Sequence, residues 1–232
     1  MKKFNVAIDG PANSGKTTIG KLLSQKLNYF FFDSGLLYRH FAKFCHLNVK
    51  SHLGFSLSLI DLDKLLKLWK KLLIDKSSKV IDYLESESEI LNYLVVTEST
   101  YRLSLFPQLR EFITKFLRKT VSEKGWVVVG RDITSMVLPS AEVKIFLTAN
   151  LIERVKRNRS QISNFLSQKQ TKEKLNKRDK LDRERIISPL KKTFDSWKLD
   201  TTFLTLEETL NECLIYIYNK GLLSNNFINY ET

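Results

Sequence analysis

At 232 residues, with 43% hydrophobic and 27% charged side chains, the sequence has the balance of a globular chain of one or two domains. No stretch is long and apolar enough to span a bilayer, and two distant cysteines, Cys45 and Cys213, exclude a disulfide framework or a cysteine-based metal site. The formal net charge of +13 is concentrated between Arg154 and Lys192, where fourteen Lys/Arg face four Asp/Glu, a patch that suits a small polyphosphate as readily as a nucleic acid.

The basic start, Met1-Lys2-Lys3, leads into an apolar run too short for a secretion signal, and two free thiols fit a reducing, cytoplasmic setting. That run, Phe4 to Ile8, predicts a buried strand. Gly10-x-x-x-x-Gly15-Lys16-Thr17 follows at once, and a helical pattern begins near Lys16. Strand, glycine loop and helix in that order are the context of a phosphate-binding P-loop. Glycines at 10 and 15 free the backbone so that successive N–H groups turn toward one anion, and the helix adds its positive dipole end. Lys16 reaches the β- and γ-phosphates, and the Thr17 hydroxyl supplies one coordination position on Mg²⁺. The expected ATP-binding set is Gly10, Pro11, Ala12, Asn13, Ser14, Gly15, Lys16, Thr17 and Thr18.

Ile19 to Leu27 keeps helical spacing, Asn28 ends it, and Tyr29 to Phe32 reads as a second strand covered on both faces. Asp33 or Ser34 caps the next helix, which carries Leu36 to His40; Asp33, Ser34 and Arg39 follow a strand end and so are site candidates by position. Residues 48–98 break the strand–helix alternation. An amphipathic helix over Leu57 to Ile74 precedes a hairpin of Lys79 to Leu84 and Ile90 to Val96, together an inserted subdomain.

Pro107 starts a helix to about Lys124, with Arg110 in its first turn, where a cation is poorly placed unless an anion lies near. Gly125 closes that helix before a strand, Trp126 to Val129, that ends in Gly130-Arg131-Asp132. Lys144 to Leu147 is a fourth strand, followed by a helix from Asn150 whose exposed face carries Arg154, Arg157 and Arg159. The charged run Arg178 to Arg185 fits a solvated helix face held by i,i+4 pairs as well as an anion-binding segment. Trp197 to Leu199 with Phe203-Leu204 gives a last strand, Leu206 to Lys220 a last helix, and 224–232 a flexible tail. The expected fold is α/β: a doubly wound parallel sheet of about five strands with helices on both faces, an inserted subdomain and a basic lid.

A P-loop holds nucleotide without fixing its fate. Two anionic substrates held together demand more positive charge than one lysine and one Mg²⁺, and arginine forks suit phosphate best. Arg39, Arg110, Arg131, Arg178 and Arg185 supply it, which points to a phosphotransferase whose acceptor is itself a phosphate, with a lid that excludes water.

At these residues the chain resembles the bacterial cytidylate kinases, relatives of adenylate kinase. Four motifs match in order: Ile8 to Thr17, Asp33-Ser-Gly-Leu-Leu-Tyr-Arg39, Gly130-Arg-Asp132, and Arg178-Asp-x-x-Asp-Arg-x-Arg185 ahead of Ser188-Pro-Leu. Leu138 to Thr148 also matches, and the likeness is weakest over about 48–100. The resemblance implies transfer of the γ-phosphate of ATP to CMP or dCMP in pyrimidine nucleotide metabolism, with Mg²⁺. Similar enzymes hold the CMP phosphate with arginines matching Arg39, Arg131 and Arg185, helped by Ser34. Arg110 and Asp132 match residues that read the cytosine edge, Arg178 and Asp182 residues at the ribose, and Arg157 an arginine on the ATP side. Lys16, Arg131, Arg178 and Arg185 form the expected catalytic set, and Asp33, through water, or Asp132 is the expected further contact to Mg²⁺ beside Thr17.

The resemblance also implies a kinase core of 1–47 and 99–223 with a lid at about 158–188, a CMP-side subdomain at 48–98, and a monomer that engages neither membrane nor nucleic acid. Tyr101, Val129 and Leu181 depart from the family pattern, which usually has a serine, an acidic residue and an arginine there. All three surround base and sugar rather than phosphate. Two other readings remain: a kinase of the same fold for another nucleoside monophosphate or for a hydroxyl acceptor such as shikimate, and a P-loop ATPase or switch that binds nucleic acid through the basic segment. The second expects a strand ending in an Asp or Asp-Glu pair, whereas the third strand here ends Val129-Gly130-Arg131. A nucleotide-binding protein without activity would have no use for the retained Lys16, Thr17 and arginines.

Overall fold

The structure, a computed structural model, describes residues 2–48, 59–75, 84, 94–161 and 167–224. Five short runs of β-branched and aromatic residues form the strands β1 (Val6–Asp9), β2 (Phe30–Asp33), β3 (Trp126–Gly130), β4 (Val143–Thr148) and β5 (Trp197–Asp200). They make one parallel sheet in the order β2-β3-β1-β4-β5. Val6 pairs with Val127 on one side and Val143 on the other, so the strand that feeds the glycine loop is central. Loops leaving the carboxyl ends of β1, β3 and β4 therefore lie side by side, where open α/β sheets bind ligands.

Eight helices accompany the strands among the described residues: α1 (Lys16–Leu27), α2 (Ser34–Asn48), α3 (Leu59–Asp75), α4 (Leu94–Ser104), α5 (Pro107–Thr120), α6 (Leu151–Gln161), α7 (Gln168–Glu184) and α8 (Leu206–Asn219). A π-helical turn spans Ile133–Val137. The chain divides into two compact units, the first made of residues 1–32 and 118–232 and the second of 33–117.

In the first unit Val6, Ile8, Val127, Val129, Val143, Ile145 and Leu147 of the sheet meet Ile19, Leu23 and Leu27 of α1 and Cys213, Leu214 and Ile217 of α8. Each valine, leucine and isoleucine among them contributes roughly 1.5–3 kcal/mol on burial. In the second unit Trp69 is the hub, its ring 5.0 Å from Phe41 and 5.7 Å from Phe112. Its Nε1–H donates to His40 Nδ1 at 2.8 Å, which fixes the neutral histidine as the Nε2–H tautomer.

Several sequence expectations need correction. β2 lies at the sheet edge with one neighbour, so Phe30 is 63% exposed instead of covered on both faces. Its ring rests on Trp126 at 4.8 Å. Helix α5 ends at Thr120, and Gly125 instead turns the chain into β3, its N–H shared between the Phe4 carbonyl at 3.1 Å and Asn5 Oδ1 at 3.0 Å. Phe203-Leu204 lies beyond β5, and Phe203 is exposed. Of the expected hairpin, Leu94 to Val96 opens α4 and Leu84 is helical; its other residues lie outside the described ones, as do residues 225–232 of the tail.

Candidate active site

The glycine loop runs from β1 into α1 under tight steric control. A Cβ on Gly10 would fall 1.9 Å from the Leu147 carbonyl oxygen of β4, so only glycine passes there. Gly15, at the N-cap of α1, has φ +92°, a left-handed value that β-carbons disfavour. No side chain caps α1 and no acidic residue lies in its first turn, which leaves the N–H groups and the positive dipole end directed at the loop. Lys16 curls over the loop, its Nζ donating to the Pro11 carbonyl at 2.6 Å and to Ser14 Oγ at 3.2 Å. Thr17 is exposed beside it.

Beyond β3, Arg131 and Asp132 enter the π-helical turn. Arg131 Nε donates to Asp182 Oδ2 at 3.1 Å, and Arg185 Nη1 donates to Asp182 Oδ1 at 3.3 Å. Arg185 also donates through Nε to the Ser188 carbonyl and lies 3.8 Å from Asp132 Oδ1. Burial pushes the Asp182 carboxyl upward, but Arg131, Arg178 and Arg185 outweigh it and hold the group below the usual range. Three arginines thus converge on one buried carboxylate and leave local positive charge in excess. Here the structure brings together Arg131, Asp132, Arg178, Asp182 and Arg185, five of the residues singled out in the sequence.

Arg157 lies beside the loop: a Cβ on Gly15 would come within 3.9 Å of its Nη1. Its guanidinium donates to Glu153 Oε1 at 3.1 Å, Thr201 Oγ1 at 2.9 Å and the Thr201 carbonyl at 2.7 Å, which braces it at the end of β5.

The second unit holds Asp33, Ser34, Arg39 and Arg110. Asp33 caps α2 by accepting the Gly35 N–H at 2.8 Å, and its other oxygen lies 3.4 Å from Arg39 Nη2. Ser34 is the buried first residue of α2. Arg39 Nε is buried and finds no hydrogen-bond partner among the described residues. Arg110 is buried on α5, its Nε donating to the Ser104 carbonyl at 2.5 Å while the guanidinium faces the Tyr38 ring at 5.4 Å.

Three functional-looking residues, Asp9, Arg154 and Asp179, escaped the sequence reading. Asp9, fully buried at the end of β1, accepts from the Ile133 N–H at 2.9 Å and from the Thr134 N–H and hydroxyl, both at 2.7 Å. Burial raises its carboxyl, Thr134 pulls it back, Asp132 adds to the rise, and the balance stands at about 6. An aspartate embedded between apolar Val6-Ala7-Ile8 and Gly10 was the available signal. Arg154, expected on an exposed face, is instead buried and paired with Asp179 at 2.6 Å. Spacing explains the reversal, because Leu151, Arg154 and Val155 share one helix face and the apolar two pack inward.

The sequence model of a family described as cytidylate kinase matches residues 6–219. The cytidylate kinase of Mycoplasma capricolum is 34% identical over 223 residues, covering 91% of this chain and 94% of that protein. That of Carboxydothermus hydrogenoformans is 34% identical over 226 residues, covering 94% and 99%. That of Bacillus thuringiensis is 36% identical over 219 residues, covering 92% and 95%.

Proposed function

Because the chain belongs to the cytidylate kinase family, we propose that it transfers the γ-phosphate of ATP to CMP or dCMP, giving ADP and CDP or dCDP. The observation that carries the reading is the convergence of Arg131, Arg178 and Arg185 on Asp182, in the same unit as the P-loop. Such a cluster suits an acceptor that is itself anionic.

The acceptor phosphate oxygen is already charged near neutral pH, so no general base is required. Catalysis rests on positioning and on positive charge around the transferring group. Lys16 stabilises charge on the β- and γ-phosphates, and Arg131, Arg178 and Arg185 shield the transfer. Ser34, Arg39, Arg131 and Arg185 hold the acceptor phosphate. Arg110 donates to the cytosine carbonyl and Asp132 accepts from its amino group, a pair that selects cytosine over uracil. Arg178 and Asp182 contact the ribose, and Arg157 lies on the ATP side. Val129, where the family usually has an acid, is part of the apolar core here, 1% exposed. Tyr101 and Leu181, the other two departures, are half-buried.

Among the described residues no group of three His, Cys, Asp or Glu is placed to hold a metal. The chain's own oxygen donor at the loop, the Thr17 hydroxyl, together with the phosphates of a bound nucleotide would fit Mg²⁺, which keeps waters and needs few protein ligands. Asp33, whose oxygens accept from Gly35 and Arg39, is proposed to reach the metal through water. When bound, Mg²⁺ neutralises charge on the β- and γ-phosphates. We further assign the lid to about 158–188, the CMP-side subdomain to 48–98, and a monomeric state in the cytoplasm. No helix of the described residues is long and apolar enough to cross a membrane.

Chromatographic detection of CDP from CMP, ATP and Mg²⁺ tests the proposal. CDP is expected to form and to vanish when a chelator removes the metal. ATP consumed without CDP would favour the ATPase reading.

A further inference from the structure

Asp179 and Asp182 stand three residues apart on α7 and so share one of its faces. Each grips a different part of the first unit. Asp182 holds Arg131 and Arg185. Asp179 holds the P-loop. Its Oδ1 accepts the Ala12 N–H at 3.3 Å and its Oδ2 accepts Arg154 Nη1 at 2.6 Å. The same Nη1 donates to the Ala12 carbonyl at 3.1 Å, and Arg154 Nε donates to the Ala149 carbonyl at 3.0 Å. One buried ion pair therefore engages both polar groups of Ala12, a residue inside the loop. The Ala12 methyl packs with Val155 of α6 and Leu175 of α7, so apolar and polar contacts converge on one spot.

Arg154 and Asp179 are each only 5% exposed. Desolvating such a pair offsets much of its attraction, and apolar side chains of similar volume often serve stability as well. What apolar side chains do not provide is a directional hold on a peptide group. We propose that the Arg154–Asp179 pair is a clasp that sets the P-loop backbone at Ala12 for nucleotide binding. Both are positioning residues, and α7 is the bar that registers the loop against the arginines gathered by Asp182. The inference rests on the kinase reading only in taking a nucleoside triphosphate as the loop's ligand.

The test replaces both charges at once, Arg154→Met with Asp179→Leu, so that no buried ion is orphaned. Titration calorimetry with Mg²⁺ and a non-hydrolysable ATP analogue, and separately with CMP, gives two dissociation constants. The clasp predicts that the analogue binds about tenfold more weakly, within the range of such couplings, while CMP binding shifts less than about twofold. Unchanged analogue binding overturns the proposal. A parallel loss of both ligands overturns it too, because a general structural role would produce that. Should the double variant not fold, Asp179→Asn, which keeps an acceptor for Ala12 but not the charge pairing, is judged by the same split. A wild-type protein that binds the analogue but not CMP would remove the acceptor assignment and leave the analogue titration to decide the clasp.

Discussion

Asp182 accepts the Arg131 Nε–H at 3.1 Å, a contact that ties α7 to the end of β3 across 51 residues of sequence. The carboxylate is itself 5% exposed, so removing its charge strands Arg131 and Arg185 without their shared counter-ion. Asp182→Asn is expected to lower kcat/KM for CMP about 10- to 100-fold, as befits a loss of about 1.4–2.7 kcal/mol for a charge-assisted bond. Steady-state kinetics with CMP varied at saturating ATP measures it. A value within twofold of wild type would detach this cluster from the acceptor.

Lys16 bends back onto the Pro11 carbonyl and Ser14 Oγ, within the loop that it serves. Lys16→Ala removes the cation assigned to the β- and γ-phosphates. Turnover should fall at least about 100-fold, the scale seen when one charge-stabilising donor is lost from an active site. Circular dichroism should remain that of the folded chain. Near-normal turnover contradicts the P-loop role.

Asp132 is buried beside Arg185, 3.8 Å away. Asp132→Asn turns one acceptor oxygen into a donor. The ratio of kcat/KM for CMP over UMP should drop by about 5- to 100-fold, the discrimination typical of one polar base contact. An unchanged ratio takes Asp132 out of the base-reading site.

The buried Asp9 gives a pH signature. Its folded-state value of about 6 lies above the ordinary 3.8, so between these values the folded protein holds a proton that the unfolded chain has released. Stability from this group is full below pH 3.8 and is lost as pH rises through 6. The span corresponds to about 3 kcal/mol. Asp9→Asn, which does not ionise, should gain about 3 kcal/mol relative to wild type between pH 4 and pH 8 in urea unfolding. Parallel stability curves for the two proteins would contradict the assignment.

The parts of the fold legible from sequence were those with a single physical cause. Gly10 and Gly15 flank a loop whose purpose follows from spacing, and Asn28 ends α1 in a left-handed conformation as a helix stop should. The spacing of Leu109, Phe112, Ile113, Phe116 and Leu117 marks the inward face of α5, where Leu109, Ile113 and Leu117 are buried and the two phenylalanines half-buried. What sequence hid was long-range. Nothing local marks Tyr29 to Phe32 as an edge strand, because strand order depends on crossovers. Arg154 looked solvated because charge usually faces water; its partner, Asp179, is 25 residues away. Asp9 passed as part of a motif because its role lies in capping a turn more than 120 residues later.

The acceptor panel is the most direct measurement of the central claim. ADP formation from ATP and Mg²⁺ is followed with CMP, dCMP, UMP, AMP, GMP, dTMP and shikimate in separate reactions. Preference for CMP and dCMP is the predicted result, and it would show that Tyr101, Val129 and Leu181 are compatible with a cytosine site. Preference for another monophosphate, or ADP release independent of any acceptor, would contradict the account.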